Sequence, residues 1–323
     1  MSYQYLGKLS NGNSKYKVTL NVYRDCFQSD VPLDDVIPIG VHLNNTDKDL
    51  YQTFNFNLIT KTNVKPPGSV DCDYYAQKVC IQYGLYEGTI ELPPFAGGYH
   101  VTFVRCCRNV QTNLPEQGGG TPFLGQTYYC FIPDSDYKNS SPVFSGVPSP
   151  FMCAKDTTNI LFNAFDPDGD ELSYKVVTPF QGGKPTDNGA MPTPPANLTL
   201  PILPVQYETN YNGNKPFGIN NGSITSINAV TGLATFLAPS SGSYVVGVEV
   251  TEKRNGVVLS SIRMDLQILV LDCPPNGTPS IKSSASKVFN IQAGQTLCFD
   301  VIGKDPDADK VKLTATGPVI DGS

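Results

Sequence analysis

Residues 243–270 read SYVVGVEVTEKRNGVVLSSIRMDLQILV, two long alternating runs around Arg254-Asn255-Gly256, and they decide the fold class. Asn-Gly suits a two-residue type I′ turn, because both central residues of that turn take positive φ. In the second run Ile262, Met264, Leu266, Ile268 and Val270 fall on one side, and Arg263, Asp265 and Gln267 on the other. Period-two alternation is the mark of a half-buried strand. The stretch therefore predicts a β-hairpin with a core beneath the apolar set. Further out, Lys15 to Asp25 places Tyr16, Val18, Leu20 and Val22 opposite Lys17, Thr19 and Asn21. Shorter runs follow at 36–43, 53–59, 88–92, 99–105 and 126–132, divided by turn-rich pieces such as Lys65-Pro-Pro-Gly68 and Gln117-Gly-Gly-Gly120. Short strands at such spacing predict an all-β sandwich or barrel.

Composition agrees. The 323 residues include 29 glycines and 27 prolines, and only 16% are charged, which argues against a helical protein. A net charge of −6 offers no positive field for a phosphate backbone, so nucleic acid is not an expected partner. No stretch is long and apolar enough for a membrane span, so direct membrane insertion is not expected either. The first residues show no export signal, and any signal or anchor is expected to lie outside this chain.

Asn139 to Pro150, a Pro/Ser-rich piece, predicts a boundary near residue 147. Asp166-Pro-Asp-Gly-Asp170 is echoed 139 residues downstream by Asp305-Pro-Asp-Ala-Asp309, the offset of a domain repeat. The expected organisation is three units: a disulfide-rich β-sandwich at 1–147, a second sandwich at 148–273, and a third, truncated one at 274–323. The last is too short for a complete sandwich, so the chain is expected to be part of a longer tandem protein. Between Pro179 and Pro216 lies a Pro/Gly/Asn-rich stretch longer than ordinary connections, expected to be an elaborated loop with functional surface.

Nine cysteines with only two histidines point to disulfides in an oxidising, extracellular compartment rather than to zinc or thiol catalysis. Cys26, Cys72, Cys80, Cys106, Cys107 and Cys130 fall in the first unit, and a short Cys72 to Cys80 loop is the preferred single pairing. Cys106 and Cys107 end an alternating strand and should face different partners. Cys153 and Cys273 bracket the second unit as a staple, which leaves Cys298 for a partner further on. The two acidic runs are the concentrated carboxylates. Asp166, Asp168 and Asp170, and likewise Asp305, Asp307 and Asp309, carry acids at i, i+2 and i+4. That spacing either points oxygens at calcium or makes a solvated turn with local backbone bonds. His42 and His100 lack a catalytic constellation and read as packed or surface residues. With no nucleophile triad or phosphate loop in view, the chain is expected to be non-catalytic.

Tyr23-Arg24-Asp25-Cys26, Glu87-Gly-Thr-Ile-Glu-Leu-Pro93, Gly98-Tyr99, Cys106-Cys107-Arg108-Asn109, Asn139-Ser-Ser-Pro142 with Phe144, and Asp166-Pro-Asp-Gly-Asp170 follow one another along the chain. In that order they resemble large surface proteins of Bacteroidota, of the gliding motility-associated C-terminal domain kind exported by type IX secretion. The resemblance covers about residues 3 to 273. The second unit is also similar to cadherin-like or immunoglobulin-like repeats, through Ile227-Asn228-Ala-Val-Thr231-Gly232. Arg263-Met264-Asp265 departs from the Arg-Arg-Asp run common in that family. The resemblance implies tandem β-sandwiches at the cell surface, used in adhesion, gliding or contact with prey, and no chemistry. The expected partners are other copies of the same chain, in a homo-oligomer or fibre. A cell-surface glycan or protein is the alternative, as is an accessory role in a secreted hydrolase.

Overall fold

A computed structural model describes residues 1–27, 31–64, 80–106, 108–115, 125–146, 148–183, 194–195, 197–273, 277–284, 290–292, 294–306 and 311–314. It is all-β, with one short 3₁₀ turn at Ser135–Tyr137 and no α-helix among the described residues. Among those residues no helix is long and apolar enough to cross a membrane. The chain forms two compact units, Met1–Asp272 and Cys273–Ser323.

The first seven strands are β1 (Ser2–Lys8), β2 (Ser14–Asp25), β3 (Val36–Leu43), β4 (Leu50–Val64), β5 (Ile81–Leu92), β6 (Tyr99–Arg105) and β7 (Gly125–Ile132). Short strands follow: β8 (Val143–Phe144), β9 (Phe151–Cys153), β10 (Thr157–Leu161) and β11 (Ala164–Phe165). Then come β12 (Glu171–Val177), β13 (Gln181–Gly182), β14 (Ile224–Ile227), β15 (Leu233–Leu237), β16 (Gly242–Arg254) and β17 (Val257–Leu271). An eight-stranded sheet runs in the order β1-β2-β5-β4-β3-β6-β7-β13. The second half contributes β12-β16-β17-β9 and β10-β15-β14, with β8 paired to β11. The second unit holds one antiparallel ribbon, β18 (Ser280–Ser283) with β19 (Val301–Lys304).

The quoted hairpin forms as its alternation predicts. β16 and β17 pair from Gly242↔Val270 to Arg254↔Val257, and Asn255 and Gly256 both take positive φ at the turn. Ile262, Met264, Leu266, Ile268 and Val270 are all buried. The Ile227–Gly232 turn has an equally local cause. The Asn228 side chain accepts hydrogen bonds from the Val230 and Thr231 amides. Gly232 sits at φ +71, where an added Cβ would lie 2.5 Å from the Phe162 carbonyl oxygen.

The division into Met1–Asp272 and Cys273–Ser323 puts no unit boundary near 147. Each half has its own core: one is built mainly from β2, β3, β5 and β6, the other from Phe162, Phe217, Phe236 and Tyr244 with the inner face of β17. The first core, however, continues into Tyr174, Val250 and Ile262 of the second half. β13 adds itself to β7 across the expected boundary. Asn113 donates to the Pro216 and Val245 carbonyls and accepts from the Val245 amide. A Pro/Ser-rich break in the pattern thus marks a change of sheet within one body.

The chain enters the second half through β9 and leaves it through β17, and these two strands run side by side and parallel. Phe151, Met152 and Cys153 face Leu269, Val270 and Leu271. The pairing is extended by Leu269 N–H donating to Pro150 and Ala154 N–H donating to Leu271.

Candidate functional site: two polar junctions

Burying charge is costly unless each charge is paired, so the buried ionic groups mark the places where this fold does something special. Among the described residues of the first unit, Glu249 is buried between Lys175 and Arg263, and two further groups gather the motifs of the sequence. They lie at different heights on the β16–β17 hairpin, about 26 Å apart at 3.3 Å per residue from Val257 to Asp265.

The first junction gathers the 139–142 and 166–170 motifs at the hairpin end. Asp166 Oδ1 accepts the amides of Asp168 and Asp170, 2.9 and 3.1 Å, which curls the loop on itself. Gly169 takes φ +83 to complete the curl. Asp168 Oδ2 accepts the Ser140 amide at 2.6 Å and a long contact from Arg254 at 3.3 Å. Asp170 is clasped by Arg254 through Nε and Nη2, 2.8 and 2.7 Å. Arg254 also donates to the Tyr137 carbonyl and Asn139 Oδ1. Hydrogen bonds to Asp170 raise the Arg254 guanidinium above its ordinary value, so it stays a fixed cation. Glu252, wholly buried, is held at Oε1 by Asn139 Nδ2 at 2.5 Å. Burial, then the neighbouring Asp166 carboxyl, raises Glu252 to about 8.

The three sequence-adjacent carboxylates therefore do not converge. Asp168 turns away to Ser140 and Arg254. The group whose oxygens lie within 4.8 Å of one another is Asp166, Asp170 and Glu252. Neither Glu252 nor Arg254 was singled out by the sequence reading. The signal available was their place just before Asn255-Gly256, where the hairpin tip must meet whatever loop covers it. In the second unit Asp305 is buried, while Asp307 and Asp309 lie outside the described residues.

The second junction gathers Tyr23–Asp25 with Cys106, Arg108 and Asn109 around a cavity of about 900 Å³, whose wall also includes Arg105 and Asp265. Arg108 makes four hydrogen bonds. Its Nη1 and Nη2 grip both oxygens of Asp265, and its Nε and Nη2 also donate to the Gly125 and Phe180 carbonyls, 2.8 and 2.9 Å. Arg105, lowered by burial, is paired with Asp34. Asp25 accepts from the Phe27 amide and from Gln267. Asp265 belongs to the Arg263-Met264-Asp265 run, for which the sequence offered no role; its carboxylate is the counterion of Arg108.

The cysteines correct one pairing. Cys80 is bridged to Cys26, Cα to Cα 4.9 Å, not to Cys72, which lies outside the described residues. The reason is register: Asp25 faces Ile81 at the end of β2–β5, so Cys26 and Cys80 form the next rung, with the Cys26 amide bonded to the Cys80 carbonyl. Cys106, Cys153 and Cys273 are also oxidised, and Cys107 lies outside the described residues. Cys130 is not in a disulfide: it points into the first core as the partner of Val101, and burial lifts its thiol to about 12. Cys298 is an exposed thiol.

His42 and His100 are cross-strand partners in β3 and β6, both buried. His42 Nε2 meets the Pro195 carbonyl at 3.0 Å and His100 Nδ1 the Tyr129 hydroxyl at 2.9 Å. Burial lowers both imidazoles, His100 to about 4. The described part of the 179–216 stretch is pinned rather than free. Phe180 bridges Pro204, Asn197 bridges Asp49, and Val205 is buried against Leu114 and Val245.

Comparison with protein-family models, curated proteins and solved structures finds no match to this chain.

Proposed function

We propose that this chain is a non-catalytic, load-bearing segment of an extracellular adhesive surface fibre, built from immunoglobulin-like or cadherin-like sandwiches and assembled with further copies of itself. The observation that carries the reading is the parallel seam between β9 and β17. Tension along the chain pulls β9 and β17 in opposite directions along their length. All the hydrogen bonds of the seam are then loaded together in shear instead of opening one at a time. The disulfides at Cys26–Cys80 and at Cys106, Cys153 and Cys273 fit an oxidising location, and the resemblance to gliding-associated surface proteins points to the same place.

Single-molecule pulling tests this with one folded protein and two attachment geometries. With disulfides reduced, handles at residues 148 and 272 load the seam in shear, whereas handles at residues 241 and 272, at the open end of the hairpin, unzip it. The shear geometry is expected to unfold at severalfold higher force. Equal forces in both geometries would remove the mechanical reading.

A further inference from the structure

We propose that Asp166, Asp170 and Glu252, with Ser260 completing the cup, form a binding site for one hard divalent cation of the calcium–magnesium class. The charge count motivates it. Asp166, Asp168, Asp170 and Glu252 meet a single guanidinium, Arg254, which is committed to Asp168 and Asp170.

What is left over is a set of oxygens. Asp166 Oδ2, Glu252 Oε2 and Ser260 Oγ are all buried with no hydrogen-bond partner. Ser260 is only 4% exposed and stands on β17 directly across from Glu252 on β16. Its hydroxyl faces the Glu252 carboxyl from the opposite strand without a partner at full hydrogen-bond distance, and is not one of the acids. Asp166 cannot turn its bare oxygen elsewhere, since its other oxygen is fixed by two loop amides. Buried polar atoms are ordinarily satisfied, and each exception needs an explanation. Three exceptions around one group of carboxylates are explained together by a cation. All the donors are oxygen, the set preferred by calcium, magnesium and manganese over zinc or copper. The Asp170 oxygens can be shared between the ion and Arg254, and water fills the remaining positions. Asp168 lies outside the set, so the ion would bridge the loop to the hairpin instead of sitting within the loop.

This inference does not rest on the load-bearing reading: the ion would bind whether or not the chain carries force. Chelator-stripped protein is titrated by calorimetry at pH 8 with calcium chloride and, in a parallel arm, magnesium chloride. Thermal unfolding is followed in the same solutions. Saturable binding of at least one arm is expected at about 0.1–1 mM, the range of extracellular calcium modules. Tm should rise by about 3 °C at tenfold excess over Kd. Glu252→Gln should remove one bound ion per chain and Asp168→Asn none. Ser260→Ala, which deletes a single oxygen, should weaken binding severalfold and keeps the test open if Glu252→Gln does not fold. Absence of saturable binding by both ions would overturn the site. So would an unchanged stoichiometry and affinity in Glu252→Gln, or in Ser260→Ala should that variant have to stand in.

Discussion

The two junctions join the same halves of the first unit with opposite accounting. At the second, Arg24, Arg105 and Arg108 meet Asp25, Asp34 and Asp265, three cations against three anions; Arg108 makes four hydrogen bonds, and the unpartnered Gln111 Oε1 there belongs to a neutral amide. At the first, four carboxylates meet one guanidinium, and three buried oxygens are left without a donor. A closed set of charges has nothing to exchange with solvent and serves only to fix geometry. An open set must take up a proton or a cation, and its strength then depends on the medium. One junction is architecture; the other can be tuned.

The largest expected effect is at the closed junction. Arg108→Ala strands Asp265 in a buried site and should cost about 3–5 kcal/mol in denaturant unfolding. The double replacement Arg108→Met with Asp265→Leu should recover most of that loss. If the single and double variants are equally unstable, the junction is not governed by its charge balance.

Next comes pH, measured in chelator. His100 has a lower value folded than unfolded, so the unfolded chain binds more protons between pH 6.5 and 4. Stability on the order of 3 kcal/mol is therefore lost as pH falls through that window. Glu252 has the opposite sign. Its raised folded value, about 8, means that the folded chain keeps a proton the unfolded chain has released, so stability falls as pH rises from about 4.5 to 8. Between 6.5 and 8 the Glu252 slope runs against that of the Met1 amino group, which burial lowers from 8 and which makes stability rise with pH. Glu252→Gln should therefore turn the slope more positive, and a slope unchanged in Glu252→Gln would mean the open junction is not the titrating one.

The smallest effect is expected from Asp168→Asn. The Asp168–Arg254 contact is partly exposed and long, 3.3 Å, and an asparagine oxygen can still accept the Ser140 amide. A loss under about 1 kcal/mol should be seen in thermal unfolding. A larger loss would place Asp168 inside the working set.

The local half of this architecture was legible in the sequence. β3 and β6 span the residues their alternation marked, 36–43 and 99–105, and the Asn-Gly hairpin follows from backbone chemistry alone. Burial on one face of a strand has period two, and that period is written in consecutive residues. Long-range register is not. That Cys26 faces Cys80, that Arg108 finds Asp265 157 residues away, and that Glu252 joins the 166–170 loop all depend on which strands become neighbours. The motif residues stand out in the sequence, yet their partners are ordinary-looking Asp, Glu and Arg residues on the hairpin. The acidic run reads either as a calcium ligand or as a solvated turn because its acids are adjacent in sequence; in space Arg254 takes up two of them.

One small feature bears on how copies of this protein can join. The outer edge of β1 is partly closed by its own chain: Tyr3 N–H donates to Ser141 Oγ, the Ser141 amide donates back to the Tyr3 carbonyl, and Tyr5 N–H donates to Ser140 Oγ. At the opposite margin of that sheet, β13 is only two residues long. Open strand edges are where β-proteins polymerise without control. With one margin occupied and the other cut short, runaway growth by strand addition is disfavoured, and the number of copies in an assembly is left to be set by contacts between finished surfaces.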